Sequence, residues 1–176
     1  MKNEVFIFDI DGCILPNLFE NYGWAKDQSR EHIIRDVNEK GKTARLFPNF
    51  VKYFGIQCQN ALKIYFITGR QRNEFWELTM LNLDELSDFG YDFTIVWYPP
   101  NKKHTAKTYF NWKIKTIKTI MKGYQNASKK YGLKVNFIIY DDLSEYFPNL
   151  GKFAVKRGIE YYMNEIKTDE KWGWFV

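Results

Sequence analysis

Two aspartates, Asp9 and Asp11, follow an apolar run near the start of the chain, and Gly12 comes directly after them. The run Val5 to Phe8 is typical of a strand that is buried on both faces. Side chains alternate along a strand, so a regular strand would direct both carboxylates to the same side. Gly12 lets the backbone turn away sharply, which places both acids at the carboxyl end of the strand, where open α/β sheets bind their ligands.

Two carboxylates at the end of one strand repel each other. A divalent cation with oxygen ligands removes this cost, and Mg²⁺ is the usual ion when a substrate brings phosphate oxygens. The alternative is a solvated pair of loop acids, and the Asp-x-Asp-Gly pattern on its own leaves that interpretation open.

Polar groups follow two later apolar runs in the same way. Residues 62–67 lead into Thr68-Gly69-Arg70, and residues 135–140 lead into Asp141-Asp142. Because parallel strands present their carboxyl ends at one edge of a sheet, these groups are candidates for the same site as Asp9 and Asp11.

The remaining pattern alternates between helix and strand. Further strands are predicted at 93–97 and 159–163, and helices at 71–83, from Pro48 onward, and after Asp142, the last broken near Pro148. Strands that alternate with helices predict an α/β fold, a three-layer sandwich around a central parallel sheet. The whole chain, 1–176, is expected to form one domain, with a small, partly helical insertion at about 13–45. This insertion is expected to act as a lid over the end of the first strand.

A long helix is predicted after the loop 101–107, with Phe110, Ile114 and Ile117 on its apolar face. At about 100° per residue, Lys113 falls on the edge of that face. Lys115 falls on the solvent side, although it remains a rival candidate for the same role.

Composition restricts the class of protein. The chain has 176 residues, of which 45% are hydrophobic and 19% aromatic, so a globular core is expected rather than disorder. No run approaches the roughly 20 apolar residues that span a bilayer, and the first strand begins too early to leave room for a signal peptide. The two cysteines, Cys13 and Cys58, lack metal-type spacing and indicate reduced thiols in a cytoplasmic protein.

The net charge of +5 is distributed unevenly. Ten lysines and no acidic residue lie between Asp92 and Asp141. Such a stretch attracts polyanions, or it is simply a solvated lysine face. Aromatic residues near the predicted loops offer stacking surfaces for nucleobases if they are not part of the core: Tyr22, Trp24, Trp76, Trp97 and Tyr98.

The chain resembles the haloacid dehalogenase-like (HAD) phosphohydrolases in four motifs that occur in the same order. They are Asp9-x-Asp11-Gly12, Thr68-Gly69-Arg70, a helix-borne lysine, and Asp141-Asp142. The resemblance covers the chain from Val5 to about Met163. It implies a Rossmann-like HAD fold and a Mg²⁺-dependent phosphatase, which is a phosphoric monoester hydrolase.

The resemblance also implies a role for each residue. Asp9 would be the nucleophile that forms an aspartyl-phosphate, and Asp11 the general acid and then the base. Thr68 would hydrogen-bond a phosphoryl oxygen, and Lys113 would stabilise the charge that develops there. The Mg²⁺ ligands would be Asp9, Asp11 through its backbone carbonyl, Asp141 and Asp142.

The substrate is expected to be a nucleic-acid end phosphate or a nucleotide. Gly69, Arg70 and Arg72 would bind its phosphate, since arginines suit bidentate phosphate contacts. The layout is also similar to polynucleotide phosphatases and RNA-repair HAD domains, which share the arginine after the second strand and a Thr-x-x-x-x-Lys approach, here Thr108 and Lys113. Two alternatives remain: a phosphatase of a small metabolite, and a non-catalytic nucleic-acid-binding protein on the same scaffold. The oligomeric state is left open.

Overall fold

Five parallel strands form one sheet in the computed structural model of the chain, which describes residues 3–22, 29–100 and 104–167. The strands are β1 (Glu4–Phe8), β2 (Lys63–Thr68), β3 (Phe93–Trp97), β4 (Asn136–Asp141) and β5 (Glu160–Glu165). Their order across the sheet is β3-β2-β1-β4-β5, and every neighbouring pair is parallel. The order reverses direction between β1 and β4, so the crevice at their carboxyl ends is where such sheets bind ligands.

Helices cover both faces of this sheet. They are α1 (Arg30–Gly41), α2 (Pro48–Gln57), α3 (Arg72–Leu83), α4 (Ala106–Tyr131) and α5 (Phe147–Arg157). The predicted fold class, a three-layer α/β sandwich with a central parallel sheet, is confirmed. No helix in the described parts of the chain combines the length and the apolar character needed to cross a membrane.

The alternation of side chains in β1 creates two hydrophobic cores. Phe8 faces α2, where its ring meets Phe50 edge to face with centroids 5.3 Å apart. Val5 and Ile7 face the opposite side and pack in a cluster with Ile117 of α4. Because β1 is buried on both faces, Asp9, which directly follows it, lies in apolar surroundings.

The described part of the insertion packs against α3. Ser29 caps α1 by accepting a hydrogen bond from the His32 N–H. Val37 of α1 is fully buried in a small cluster with Phe75 and Leu78 of α3. The insertion is therefore fixed to the helix that follows β2.

Two predicted elements differ from the structure. Pro148 does not break α5 but lies in its first turn, where a missing N–H costs no hydrogen bond. The last strand extends to Glu165 instead of ending at Met163. Trp24, Lys102 and the aromatic tail at 171–176 lie outside the described residues.

Candidate active site

The polar groups predicted from the sequence meet at one edge of the sheet. Asp9 follows β1, Thr68 ends β2 and Asp141 ends β4, and these strands are parallel neighbours. All three side chains are at least nine-tenths buried. The parallel register of the sheet therefore brings these three residues, which are far apart in sequence, together in one site.

Lys113 lies at the centre of this site. Its Nζ donates to Asp9 Oδ1 at 2.8 Å and also pairs with Asp141 Oδ2. The sequence predicts Lys113 at the edge of the apolar face of α4. The side chain is only 1% exposed and lies on the buried face of the helix. Lys115 is exposed and does not reach the site.

Asp9, Asp141 and Asp142 each present a carboxylate oxygen to a common point, and these oxygens lie within 4.8 Å of one another. The single ammonium of Lys113 balances only part of their charge. One oxygen of Asp142, Oδ1, is buried without a hydrogen-bond partner in the described chain. An orphaned carboxylate oxygen beside two further acids fits a hard divalent cation, for which carboxylates are the preferred ligands.

The pKa values of the cluster reflect burial and crowding. Burial raises the pKa of Asp9 well above its ordinary value; Lys113 opposes this shift, and the charges of Asp141 and Asp142 add to it. Burial and then the charge of Asp141 raise the pKa of Asp142 to about 7. Burial alone would lower the pKa of Lys113, but Asp141 and Asp9 hold it well above the ordinary value. The lysine is therefore cationic, while the acids gain from a bound cation.

Asp11 is directed away from this cluster. Its two oxygens accept hydrogen bonds from Nε and Nη2 of Arg70, each at 2.8 Å. Nη1 of Arg70 donates to Thr79 at 2.9 Å and to Asn82 at 3.0 Å. Asp11 is thus the one predicted metal ligand whose carboxylate lies outside the cluster. The sequence prediction assigns its backbone carbonyl, and not its carboxylate, to the metal.

The predicted phosphate-binding residues occupy different places. Arg70, which was expected beside the substrate phosphate, is 1% exposed, and its guanidinium is committed to Asp11, Thr79 and Asn82. Arg72 is exposed and lies over the ring of Trp76 in the first turn of α3. The structure brings neither guanidinium into the Asp9 cluster.

Thr68 and Gly69 shape the backbone between β2 and α3. The Oγ of Thr68 accepts a hydrogen bond from the Arg70 N–H at 3.1 Å, which leaves the hydroxyl proton to be donated elsewhere. A Cβ on Gly69 would lie 3.2 Å from the ring of Tyr109 and 3.3 Å from His104. A residue without a side chain therefore suits this close approach.

Gly12 has a structural requirement of its own. Its φ of +84° is favourable for glycine, and a Cβ there would lie 2.3 Å from Asp142 Oδ2. The turn that follows Asp11 can therefore pass close to Asp142 only because the residue is glycine.

Two tyrosines complete the site and were not predicted as part of it. Tyr109 donates to Asp9 Oδ1 at 3.2 Å, and Tyr146 donates to Asp141 Oδ2. Burial raises the pKa of both phenols, so both remain protonated donors. The spacing of Tyr109 and Lys113, four residues apart on one helix, was the available sequence signal for the first.

Part of the basic stretch lies far from this site. α4 begins at the edge that carries Asp9 and runs for 26 residues, so it is about 39 Å long. Lys129, Lys130 and Lys134 consequently lie towards the opposite edge of the sheet, and all three are exposed. Lys102 and Lys103 lie outside the described residues.

No family model matches the chain, and neither does any curated protein. Several solved structures align with most of this chain. A chain of the Pnkp1/Rnl/Hen1 RNA repair complex is 11% identical, with a TM-score of 0.47 over 93% of this chain and 42% of that one. A hydrolase from Streptococcus pneumoniae TIGR4 is 13% identical, with a TM-score of 0.46 over 92% of both chains.

A class C acid phosphatase from Bacillus anthracis, solved with tungstate bound, is 16% identical, with a TM-score of 0.42 over 93% of this chain and 66% of that one. The present chain spans less than half the length of the repair-complex chain.

Proposed function

We propose that the protein is a Mg²⁺-dependent phosphatase that works through an aspartyl-phosphate on Asp9. The observation that carries this proposal is the pairing of Asp9 with Lys113 in a buried cluster that also holds Asp141 and Asp142. A carboxylate so placed is desolvated and oriented, as a nucleophile that attacks a phosphoryl group must be. The cluster also carries more negative than positive charge, which favours a bound metal ion.

The first step begins at the oxygen of Asp9 that Lys113 does not hold. Lys113 and Tyr109 both donate to Oδ1, and no described residue donates to Oδ2. Oδ2 attacks phosphorus and forms a P–O bond, while the bond from phosphorus to the leaving oxygen breaks. Asp11 acts as the general acid and gives a proton to that oxygen, so the alcohol leaves as a neutral molecule.

The second step returns the enzyme to its starting state. Asp11, now a carboxylate, takes a proton from water, and the water oxygen attacks phosphorus. The P–O bond to Asp9 breaks, inorganic phosphate leaves, and Asp11 again carries a proton. The Thr68 hydroxyl and the Lys113 ammonium stabilise the phosphoryl oxygens in both steps.

A Mg²⁺ ion would be held by the carboxylates of Asp9, Asp141 and Asp142 and by the backbone carbonyl of Asp11. When bound, it neutralises charge on the phosphoryl oxygens and on the acids. The unpartnered Asp142 Oδ1 supports this assignment.

The substrate is proposed to be a phosphorylated nucleic-acid end or a nucleotide, and residues 13–45 are proposed to act as a lid. The anchoring of α1 on α3 supports a cover that stays close to the site. A small metabolite is the second candidate substrate.

Phosphate release from 3′- and 5′-phosphorylated oligonucleotides and from an aryl phosphate tests the proposal. Each substrate is measured with Mg²⁺ and with a chelator, for the wild type, for Asp9→Asn and for Asp88→Asn. Asp88 is an exposed acid remote from the cluster and serves as the matched control. Release that requires Mg²⁺, is lost in Asp9→Asn and survives in Asp88→Asn is the expected result.

The ranking of substrates then distinguishes nucleic acid from metabolite. An oligonucleotide phosphate contact weakens steeply with salt, whereas a small metabolite responds much less. Phosphate release that persists in Asp9→Asn would contradict the assignment of Asp9 as the nucleophile. Release that persists with the chelator would contradict the requirement for Mg²⁺.

A further inference from the structure

An open groove of about 640 Å³ lies beside the first turn of α3 and the end of β3. Trp76 and Arg72 of α3 form one wall, and Trp97, Tyr98 and Pro99 form the other. The described residues that line it include an arginine and an asparagine but no acidic side chain. The groove is therefore aromatic and cationic.

The two tryptophans present ring surface to solvent. Trp76 is 43% exposed, and its ring centroid lies 5.9 Å from that of Trp97. The guanidinium carbon of Arg72 lies 4.6 Å from the Trp76 centroid, and no described carboxylate pairs with this arginine. The contact orders the Trp76 ring and places a positive charge over one of its faces.

Backbone pairing and hydrogen bonds join the groove residues of β3 to the residues after β2 at the candidate active site. Trp97 pairs with Thr68 across the sheet, and the Tyr98 N–H donates to the carbonyls of Thr68 and Arg70 at 3.1 Å each. β3 is separated from β1 by two strand spacings, or roughly 10 Å. A ligand whose phosphate reaches Asp9 therefore needs only a short extension to reach the groove.

We propose that this groove binds an unpaired nucleobase of a single-stranded nucleic acid whose terminal phosphate lies at Asp9. Aromatic rings that accept stacked bases, with an arginine beside them, are the usual means of holding single strands without sequence preference. Charge complementarity favours this occupant over a peptide, because Arg72 attracts a polyanionic backbone and none of the described lining residues is acidic. The inference rests on the proposed phosphatase function and specifies its substrate.

The first test compares substrates in Trp76 variants. Trp76→Leu keeps an apolar side chain but removes the ring, and Trp76→Phe restores a smaller ring. We expect the ratio of kcat/KM for a phosphorylated single strand to that for an aryl phosphate to fall about tenfold or more in Trp76→Leu and to recover largely in Trp76→Phe. Tyr131→Ala, which removes an aromatic residue 64% exposed at the far end of α4, is expected to leave the ratio unchanged.

The second test measures binding without turnover. A fluorescently labelled single-stranded oligonucleotide is titrated into Asp9→Asn protein, with and without Trp76→Leu. The expected result is a Kd at least about tenfold weaker in the double variant. An equal Kd, together with an unchanged substrate ratio, would overturn the inference.

The two assays separate this inference from the proposed function. If the wild type hydrolyses the oligonucleotide and Trp76→Leu has no effect in either assay, the phosphatase stands and the groove assignment fails. If the wild type releases no phosphate from any substrate but Trp76→Leu weakens binding, the groove assignment stands and the phosphatase fails.

Discussion

Arg70 and Asp11 form a bidentate ion pair at the edge of the candidate active site. Both hydrogen bonds are 2.8 Å long, and the exposed fractions of the two side chains are 0% and 12%. Parallel N–H donors fix a carboxylate in both position and plane. Arg70 is therefore positioned to orient the proposed general acid rather than to bind phosphate.

Arg70→Lys is expected to lower kcat by about tenfold or more with little change in KM. Lysine keeps the charge but cannot form the planar pair of hydrogen bonds. Steady-state kinetics on an aryl phosphate check this, with the exposed Arg45→Lys as control. A large rise in KM at unchanged kcat would instead indicate that Arg70 contacts the substrate.

Lys113→Met is expected to abolish phosphate release and to destabilise the metal-free protein by about 3 kcal/mol near pH 8, because it removes the cation from a buried charge cluster. The loss should be smaller near pH 5, since the raised pKa values of Asp9 and Asp142 let these acids become neutral. Urea unfolding at both pH values measures the difference. Lys115→Met, two residues away on the exposed side, should have neither effect.

The stability of the metal-free protein is expected to fall as pH rises from about 4 to about 7. The Asp142 carboxyl has a pKa of about 7 in the folded chain, against about 3.9 when unfolded. In this window the folded chain holds a proton that the unfolded chain has lost, so raising the pH favours unfolding.

Mg²⁺ should therefore raise the melting temperature more near pH 8 than near pH 5, because it competes with protons for the same oxygens. Thermal unfolding with Mg²⁺ and with a chelator gives this comparison. Asp142→Asn should remove most of the difference, and Asp88→Asn should retain it.

Tyr109→Phe is expected to lower kcat severalfold and to cost about 1 kcal/mol of stability, since it removes one hydroxyl that donates to Asp9. Tyr124→Phe is the matched control: it lies on the same helix, and its hydroxyl contacts Tyr65 instead of the acids. Comparable losses of kcat in the two variants would exclude a role for Tyr109 in orienting Asp9.

The architecture was predictable because its signals are local. Apolar runs of strand length that alternate with helical periodicity predicted the parallel sheet. The motifs at the strand ends converge because parallel strands share one edge. The helical phase of Lys113 predicted a position at the edge of the apolar face, and the structure places this side chain on the buried face of α4.

The partners of Arg70 were not predictable from the sequence. These contacts join the loop after β2 to Asp11, after β1, and to Thr79 and Asn82 in the second half of α3, and no periodicity relates Arg70 or Asp11 to these positions. For the same reason the sequence pattern predicts a phosphate ligand at Arg70, two residues after Thr68. Pro148 was interpreted as a helix breaker because sequence spacing did not locate the first turn of α5.

The carbonyl of Gly41 accepts a hydrogen bond of 2.9 Å from Asn82, which also holds Arg70. The last residue of α1 is therefore two side chains away from the carboxylate of Asp11. Exchanging the segment 13–45 for a segment of another protein would have to reproduce this carbonyl. It would also need a residue as small as glycine, because a Cβ at Gly41 would lie 2.6 Å from Leu78. Replacement of this segment is thus constrained where it meets α3, at the Gly41 carbonyl and beside Leu78.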